Sequence, residues 1–158
     1  MADSIIALIS ANRVTDILKV TTANGYSTNI LYCEQERLTE RGNNKYPRVE
    51  LAGPSIDVEN STTEGYKYTL EYVAIYQDRL DDSLTTDNPV TYQARNVSSD
   101  IIKGWMDDHT CGGYAMITYP TETYYTLDLG PNGEPIFSVI VTFKVETFLK
   151  WDDPYTIG

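Results

Sequence analysis

The pattern of apolar and polar positions changes period several times along the chain. From about Ser4 to Val20, Ile5, Leu8, Ile9, Ile17 and Leu18 fall near one helical face, with Asn12-Arg13 interrupting the stripe. Asp3 or Ser4 stands where a side-chain oxygen accepts from the first orphan N–H groups. Thr21-Thr22-Ala23-Asn24-Gly25 ends this helix, because Asn and Gly both tolerate positive φ. Ser27–Cys33 then reads as a strand, β-branched and aromatic in part.

Glu34 to Lys45 mixes Glu34, Glu36 and Glu40 with Arg37, Arg41 and Lys45 and has no apolar period, the pattern of a solvated, mobile loop. Tyr46–Leu51 is expected as a short strand that Pro47 confines to an edge or a strand start, and Gly53–Gly65 as a polar connection. Over Tyr66–Gln77, Tyr66, Tyr68, Leu70, Tyr72, Ala74 and Tyr76 alternate with Lys67, Thr69, Glu71, Val73, Ile75 and Gln77, which is strand period. Because the second set turns apolar at Val73 and Ile75, that end is expected to be covered on both sides. An acidic turn follows at Asp78-Arg79-Leu80-Asp81-Asp82.

A second helix opens at Asn88-Pro89, a cap residue followed by proline at the first helical position. Its face is Val90, Ala94, Val97, Ile101 and Trp105, and Gly112-Gly113 closes the segment. Three strands are then expected, Tyr114–Tyr119, Glu122–Leu129 and Ile136–Leu149, the last two joined by a Gly/Pro/Asn turn from Gly130 to Pro135. Strands adjacent in sequence favour a mostly antiparallel sheet flanked by two helices on one face. The fold class is α+β: one domain over residues 1–150 with a mobile loop at about 34–45, then a polar tail at 151–158 bearing Trp151 and Tyr155.

Composition narrows the function. The formal net charge of −11 disfavours tight binding to a phosphate backbone, which needs clustered Lys and Arg. No apolar run reaches a bilayer-spanning length of ~18 residues, and Ile5–Ile9 lacks the basic flank of a secretory signal. Two cysteines, Cys33 and Cys111, make no disulfide framework. These features read as a soluble acidic domain of the intracellular kind.

Catalytic motifs do not emerge. The one histidine lies in Asp107-Asp108-His109-Thr110-Cys111, where metal-ligating residue types crowd together, but adjacent residues on an extended chain point apart and a structural zinc wants four ligands. Neither a Gly-x-Ser-x-Gly elbow nor a phosphate-cradling glycine loop is present. Thirteen tyrosines allow a ligand-stacking face, as in a carbohydrate-binding module, yet Tyr66, Tyr68, Tyr72 and Tyr76 keep strand period, so core and interface packing explains them first.

The order of the pieces resembles a known family. An N-terminal helix runs into Thr21-Thr22-Ala23-Asn24-Gly25-Tyr26-Ser27-Thr28-Asn29-Ile30, a Pro-containing strand follows at Tyr46–Leu51, and a long strand enters the turn Gln77-Asp78-Arg79-Leu80-Asp81-Asp82. A helix of the Ser99-Asp100-Ile101-Ile102-Lys103 type, the Gly112-Gly113 step and a terminal strand Ile140-Val141-Thr142-Phe143-Lys144-Val145 complete the order. This resembles the tail terminator (tail completion) proteins of long-tailed bacteriophages, of the minor tail protein U type, over about residues 4–149. The acidic 57–87 stretch and the tail from Trp151 depart from that pattern.

The resemblance implies a non-enzymatic virion protein without a cofactor. It would form a homo-hexameric ring on the head-proximal end of the tail tube, end tube polymerisation and offer a surface to the neck or head-completion protein. Its partners would be itself, the tail-tube protein and the neck, with DNA passing through the lumen without specific binding. A neck connector or a tube subunit is the nearest alternative within the same setting. On this reading Arg37, Arg41 and Arg48 are the candidate partners of Asp78, Asp81 and Asp82 across subunits, and the loop at 34–45 is an arm that orders against a neighbour.

Overall fold

The computed structural model describes residues 3–35, 46–60, 64–80, 90–129, 133–150 and 153–157. Helix α1 (Ile5–Leu18) begins where expected: Ser4 is extended and its Oγ accepts from the Ala7 N–H at 3.3 Å. A 3₁₀ turn over Thr22–Asn24 closes on Gly25, whose φ of 85° is the left-handed conformation that the Asn-Gly step foretells. Helix α2 (Val90–Met106) buries Ala94, Val97, Ile101 and Trp105, the face read from the spacing, together with Gly104. A Cβ on Gly104 would stand 2.5 Å from Val20 Cγ2, so only glycine lets α2 approach the end of α1 this closely.

Six strands form one sheet: β1 (Tyr32–Gln35), β2 (Arg48–Asn60), β3 (Gly65–Arg79), β4 (Ile117–Leu129), β5 (Pro135–Lys150) and β6 (Asp153–Ile157). Their order is β1-β2-β3-β5-β4, with β6 pairing the end of β5. All pairings are antiparallel except β1 with β2. Both helices pack on one face, where Leu70, Tyr72 and Ala74 of β3 and Val139, Val141, Phe143 and Val145 of β5 meet Ile9, Ile17, Val97, Ile101 and Trp105. At about 1.5–3 kcal/mol for each large apolar side chain taken fully out of water, this layer is the main stabilising term. The α+β class and the mostly antiparallel sheet expected from the sequence are present.

Several boundaries differ from expectation. Ser27–Leu31 is not strand; β1 starts at Tyr32 and takes in Glu34 and Gln35, so the expected loop at 34–45 loses its first two residues to the sheet. Its other ten positions lie outside the described residues. From Arg48 to Asn60 the expected short strand at Tyr46–Leu51 and the expected polar connection Gly53–Gly65 are instead the single strand β2, and positions 61–63 of that connection lie outside the described residues. Tyr114–Tyr119 and Glu122–Leu129 are not two strands but one, β4, running through Pro120. The tail from 151 contains β6 rather than polar coil. Val73 and Ile75 are half-buried on the face without helices, so β3 is not covered on both sides.

Both long edge strands carry a register break at a proline-bearing step: β2 between Ala52 and Ser55, around Gly53-Pro54, and β4 between Pro120 and Glu122. Each break inserts one extra residue and so exchanges which parity faces the helices. Before its break β2 turns Val49 and Leu51 to the core; after it, Ile56 and Val58 lie on that face, opposite Leu70 and Tyr68 of β3. In β4 the buried Thr118 gives way to Thr123, Tyr125, Leu127 and Leu129, the last three aligned with Val139, Phe137 and Pro135. Among the described residues no helix is long and apolar enough to cross a membrane.

Candidate assembly interface

The residues with potential chemistry do not converge. His109 is exposed and Cys111 fully buried, and no group of three or more His, Cys, Asp or Glu among the described residues could hold a metal ion. Burial raises the Cys111 thiol to about 11 and the Cys33 thiol to about 12, so neither is a ready nucleophile. Asp108 has a structural use. Its Oδ1 accepts from the Thr110 hydroxyl and N–H, and its Oδ2 from the Gly112 N–H, which organises the turn after α2.

The Thr110 hydroxyl, followed by the Gly112 and Thr110 N–H groups, holds the Asp108 carboxyl below its ordinary value. A depressed carboxylate contributes stability above its unfolded value and loses it as pH falls through the folded one. Thermal melts from neutral pH down through the carboxylate range are therefore expected to fall more shallowly for Asp108→Asn than for the parent. Equal slopes below about pH 4 would show that Asp108 contributes nothing to the acid limb.

The tyrosines behave as packing residues. Tyr72 and Tyr76 are buried, Tyr72 with its hydroxyl 2.8 Å from Ser10 Oγ and Tyr76 with its hydroxyl donating to Asp78 Oδ2 at 3.2 Å. Tyr66 and Tyr68 are half-buried and meet edge to face at 6.3 Å. A row of exposed coplanar rings is not formed by these four.

Of the residues picked for ion pairs, Arg37, Arg41, Asp81 and Asp82 lie outside the described residues. Arg48 donates from Nε and Nη2 to Gln77 Oε1 at 3.0 and 2.7 Å, with its guanidinium 5.5 Å from the Tyr46 ring centre. Asp78 lies on the other face, beside Tyr76 and opposite Phe137 of β5. Arg48, opposite Gln77, and Asp78 are thus one residue apart in sheet register and on opposite faces.

What the fold does bring together is unpartnered sheet margin. Among the described residues β1 covers β2 only over Arg48–Leu51, which leaves the rest of β2 an open edge, and β4 has no strand on its outer side. The two open stretches sit at opposite margins and opposite ends: β2 beyond its break is level with the end of β5, and β4 beyond its break with the start of β5. Both leave large apolar side chains in water on the helix-bearing face, Ile56 at 49% and Val58 at 48% exposure on β2, Leu127 at 59% and Leu129 at 71% on β4. Tyr125 is exposed beside them.

These corners were missed in the sequence because apolar–polar alternation loses phase at each proline; the phase change itself was the available signal. The helix-free face between them is rich in carboxylates, with Glu50, Asp57, Glu59, Glu71 and Glu122 among its side chains. Lys67 answers two of the acids there, lying 3.0 Å from Glu146 and 4.0 Å from Glu59. On the helix side, a groove of about 640 Å³ opens between α2 and the sheet, floored by Tyr76, Val97 and Phe137 and rimmed by Leu31, Tyr92 and Asn96. A scan of protein-family models gives no match to this chain, and neither does a search of curated proteins.

Proposed function

We propose that this chain is a structural, non-enzymatic virion protein of a long-tailed bacteriophage, assembled in the host cytoplasm. Its copies form a ring that caps the head-proximal end of the tail tube, ends tube growth and presents a surface to the neck. One observation carries the reading: among the described residues the sheet is open at both margins, with an apolar, uncharged corner on each. An isolated protein blunts such edges, because unpaired backbone groups and exposed apolar side chains invite association. Two different patches that fit each other on identical copies make a heterologous contact, which closes into a ring when the rotation permits. The sequence resemblance to the tail terminators supports the same reading independently of the edges.

The remaining features fit this role. A helix-free face dominated by carboxylates repels DNA phosphates, so turned toward a lumen it lets DNA slide without a condensed-ion exchange. No cofactor is needed for a capping function. Ion pairs between Arg37, Arg41 or Arg48 and Asp78, Asp81 or Asp82 of a neighbour, and an arm at about 34–45 that takes its place against that neighbour, belong to the same proposal.

The test is electron microscopy of the protein added to polymerising tail-tube subunits. The expected result is a ring at one end of each tube and a tube length that falls as the protein is added. Unchanged length would remove the terminator role. Filaments formed by the protein alone would favour the tube-subunit alternative.

A further inference from the structure

We infer that copies of this chain join through one repeated contact, in which β2 beyond its register break lies along the open margin of β4 in the next copy. Ile56 and Val58 then pack against Tyr125, Leu127 and Leu129 on the helix-bearing face. This deepens the ring reading and rests on it for the number of copies, but not for the contact itself.

Four features select a second copy as the occupant of each corner. Strand direction comes first. Three successive antiparallel pairings separate β2 from β4, so the two run antiparallel within a copy. A rotated neighbour that sets its β2 beside β4 therefore continues the antiparallel ladder, and unpaired backbone groups on both margins find partners. Length permits it as well, since Glu122–Leu129 is extended and longer than Ser55–Glu59, which it would receive.

Side-chain parity agrees too. Each break moves the apolar residues of its strand to the helix-bearing face, so the two apolar sets meet on one side of the joined sheet. Charge is the fourth. Neither corner carries a charged side chain on that face, where Ile56 and Val58 stand on one and Thr123, Tyr125, Leu127 and Leu129 on the other. In a chain of net charge −11 these are places where copies approach without repulsion. The reverse face of each strand is acidic, with Asp57 and Glu59 on β2 and Glu122 and Asp128 on β4. The contact is therefore expected to strengthen as salt screens those carboxylates.

Cysteine cross-linking reads this contact directly. The native thiols Cys33 and Cys111 are buried, so they stay silent under mild oxidation. Val58→Cys is paired in turn with Tyr125→Cys, Leu127→Cys and Leu129→Cys, the two variants of each mixture carrying tags of different size. The expected result is a mixed disulfide dimer for at least one pairing, more abundant at higher salt, with almost no dimer from either variant alone. Adding Leu129→Asp to the Leu127→Cys chain is expected to abolish the mixed dimer while leaving the fold, read by circular dichroism, unchanged.

Dominant same-variant dimers would overturn the inference in favour of a two-fold contact. No mixed dimer in any pairing would also overturn it, and if light scattering still finds a ring, the terminator reading stands on another interface. A mixed dimer whose Val58→Cys/Leu127→Cys double variant grows an open-ended ladder supports the contact and removes the closed ring.

Discussion

Replacing Arg13 with alanine is expected to lower the free energy of unfolding by about 3–5 kcal/mol, measured by urea titration, because the change empties a buried site and takes from Asp16 the buried one of its two cations. Arg13 lies inside the helix layer with no exposure at all. Its guanidinium donates to the Trp105 carbonyl, to Asn12 Oδ1 and to Asp16 Oδ2 at 2.6 Å, and lies 5.2 Å from the Trp105 ring centre. Only its Nε is left without a hydrogen-bond partner. Asp16 has a second cation in Lys19 at 2.8 Å, but that side chain is largely in solvent and cannot fill the space Arg13 leaves. Removing both charges is a different perturbation from removing one, since buried ion pairs are often replaceable by apolar groups of similar size. Arg13→Met with Asp16→Leu is accordingly expected to recover most of the loss. A double variant as unstable as Arg13→Ala would mean that the pair, and not its satisfaction, holds α1 against α2.

Trp105→Ala is expected to cost a similar amount, about 3–5 kcal/mol, through a cavity at the meeting point of both helices with the sheet. The indole stacks on Phe143 with ring centres 4.1 Å apart and planes 6° from parallel, and it touches Tyr72 at 5.7 Å. Its Nε1–H donates to Thr118 Oγ1 at 2.7 Å, and that hydroxyl donates onward to the Lys144 carbonyl at 2.9 Å. Trp105→Phe keeps much of the stacking and loses the hydrogen bond, so a loss nearer 1–2 kcal/mol is expected. The same urea titration separates the terms. Equal losses for Ala and Phe would assign the stability to the hydrogen bond, and a negligible loss for Phe would assign it to ring packing.

Much of this architecture can be read from residue spacing, and the exceptions have physical causes. The α2 face and β3 keep one period, and β5 keeps it from Val139 onward, so pattern alone finds them. Arg13 breaks the α1 stripe because burial of its guanidinium depends on the neighbouring Asn12 and Asp16 and the distant Trp105 carbonyl, and periodicity carries no information on pairing. β2 and β4 each switch parity at a proline-bearing step, so a reader who follows alternation sees an ending where the strand continues. β6 was hidden for another reason: Asp153-Pro154 reads as turn chemistry, and only the end of β5 supplies the pairing that makes it a strand. The candidate interface follows the same rule. Ile56, Val58, Leu127 and Leu129 are ordinary strand residues until topology shows that no helix reaches them.

The register breaks also bear on how this surface tolerates the loss of a residue. Thr121 is the surplus residue of β4, standing between the aligned pairs at Pro120 and Glu122. Losing that single residue would restore unbroken alternation with every pairing from Glu122↔Thr142 to Leu129↔Pro135 kept, so Tyr125, Leu127 and Leu129 would stay on the helix-bearing side. The interior layer, anchored by Thr118 and the residues of β5, would keep its contacts. A lineage of such chains could thus shed or regain the bulge while both the interior and the apolar corner stay as they are.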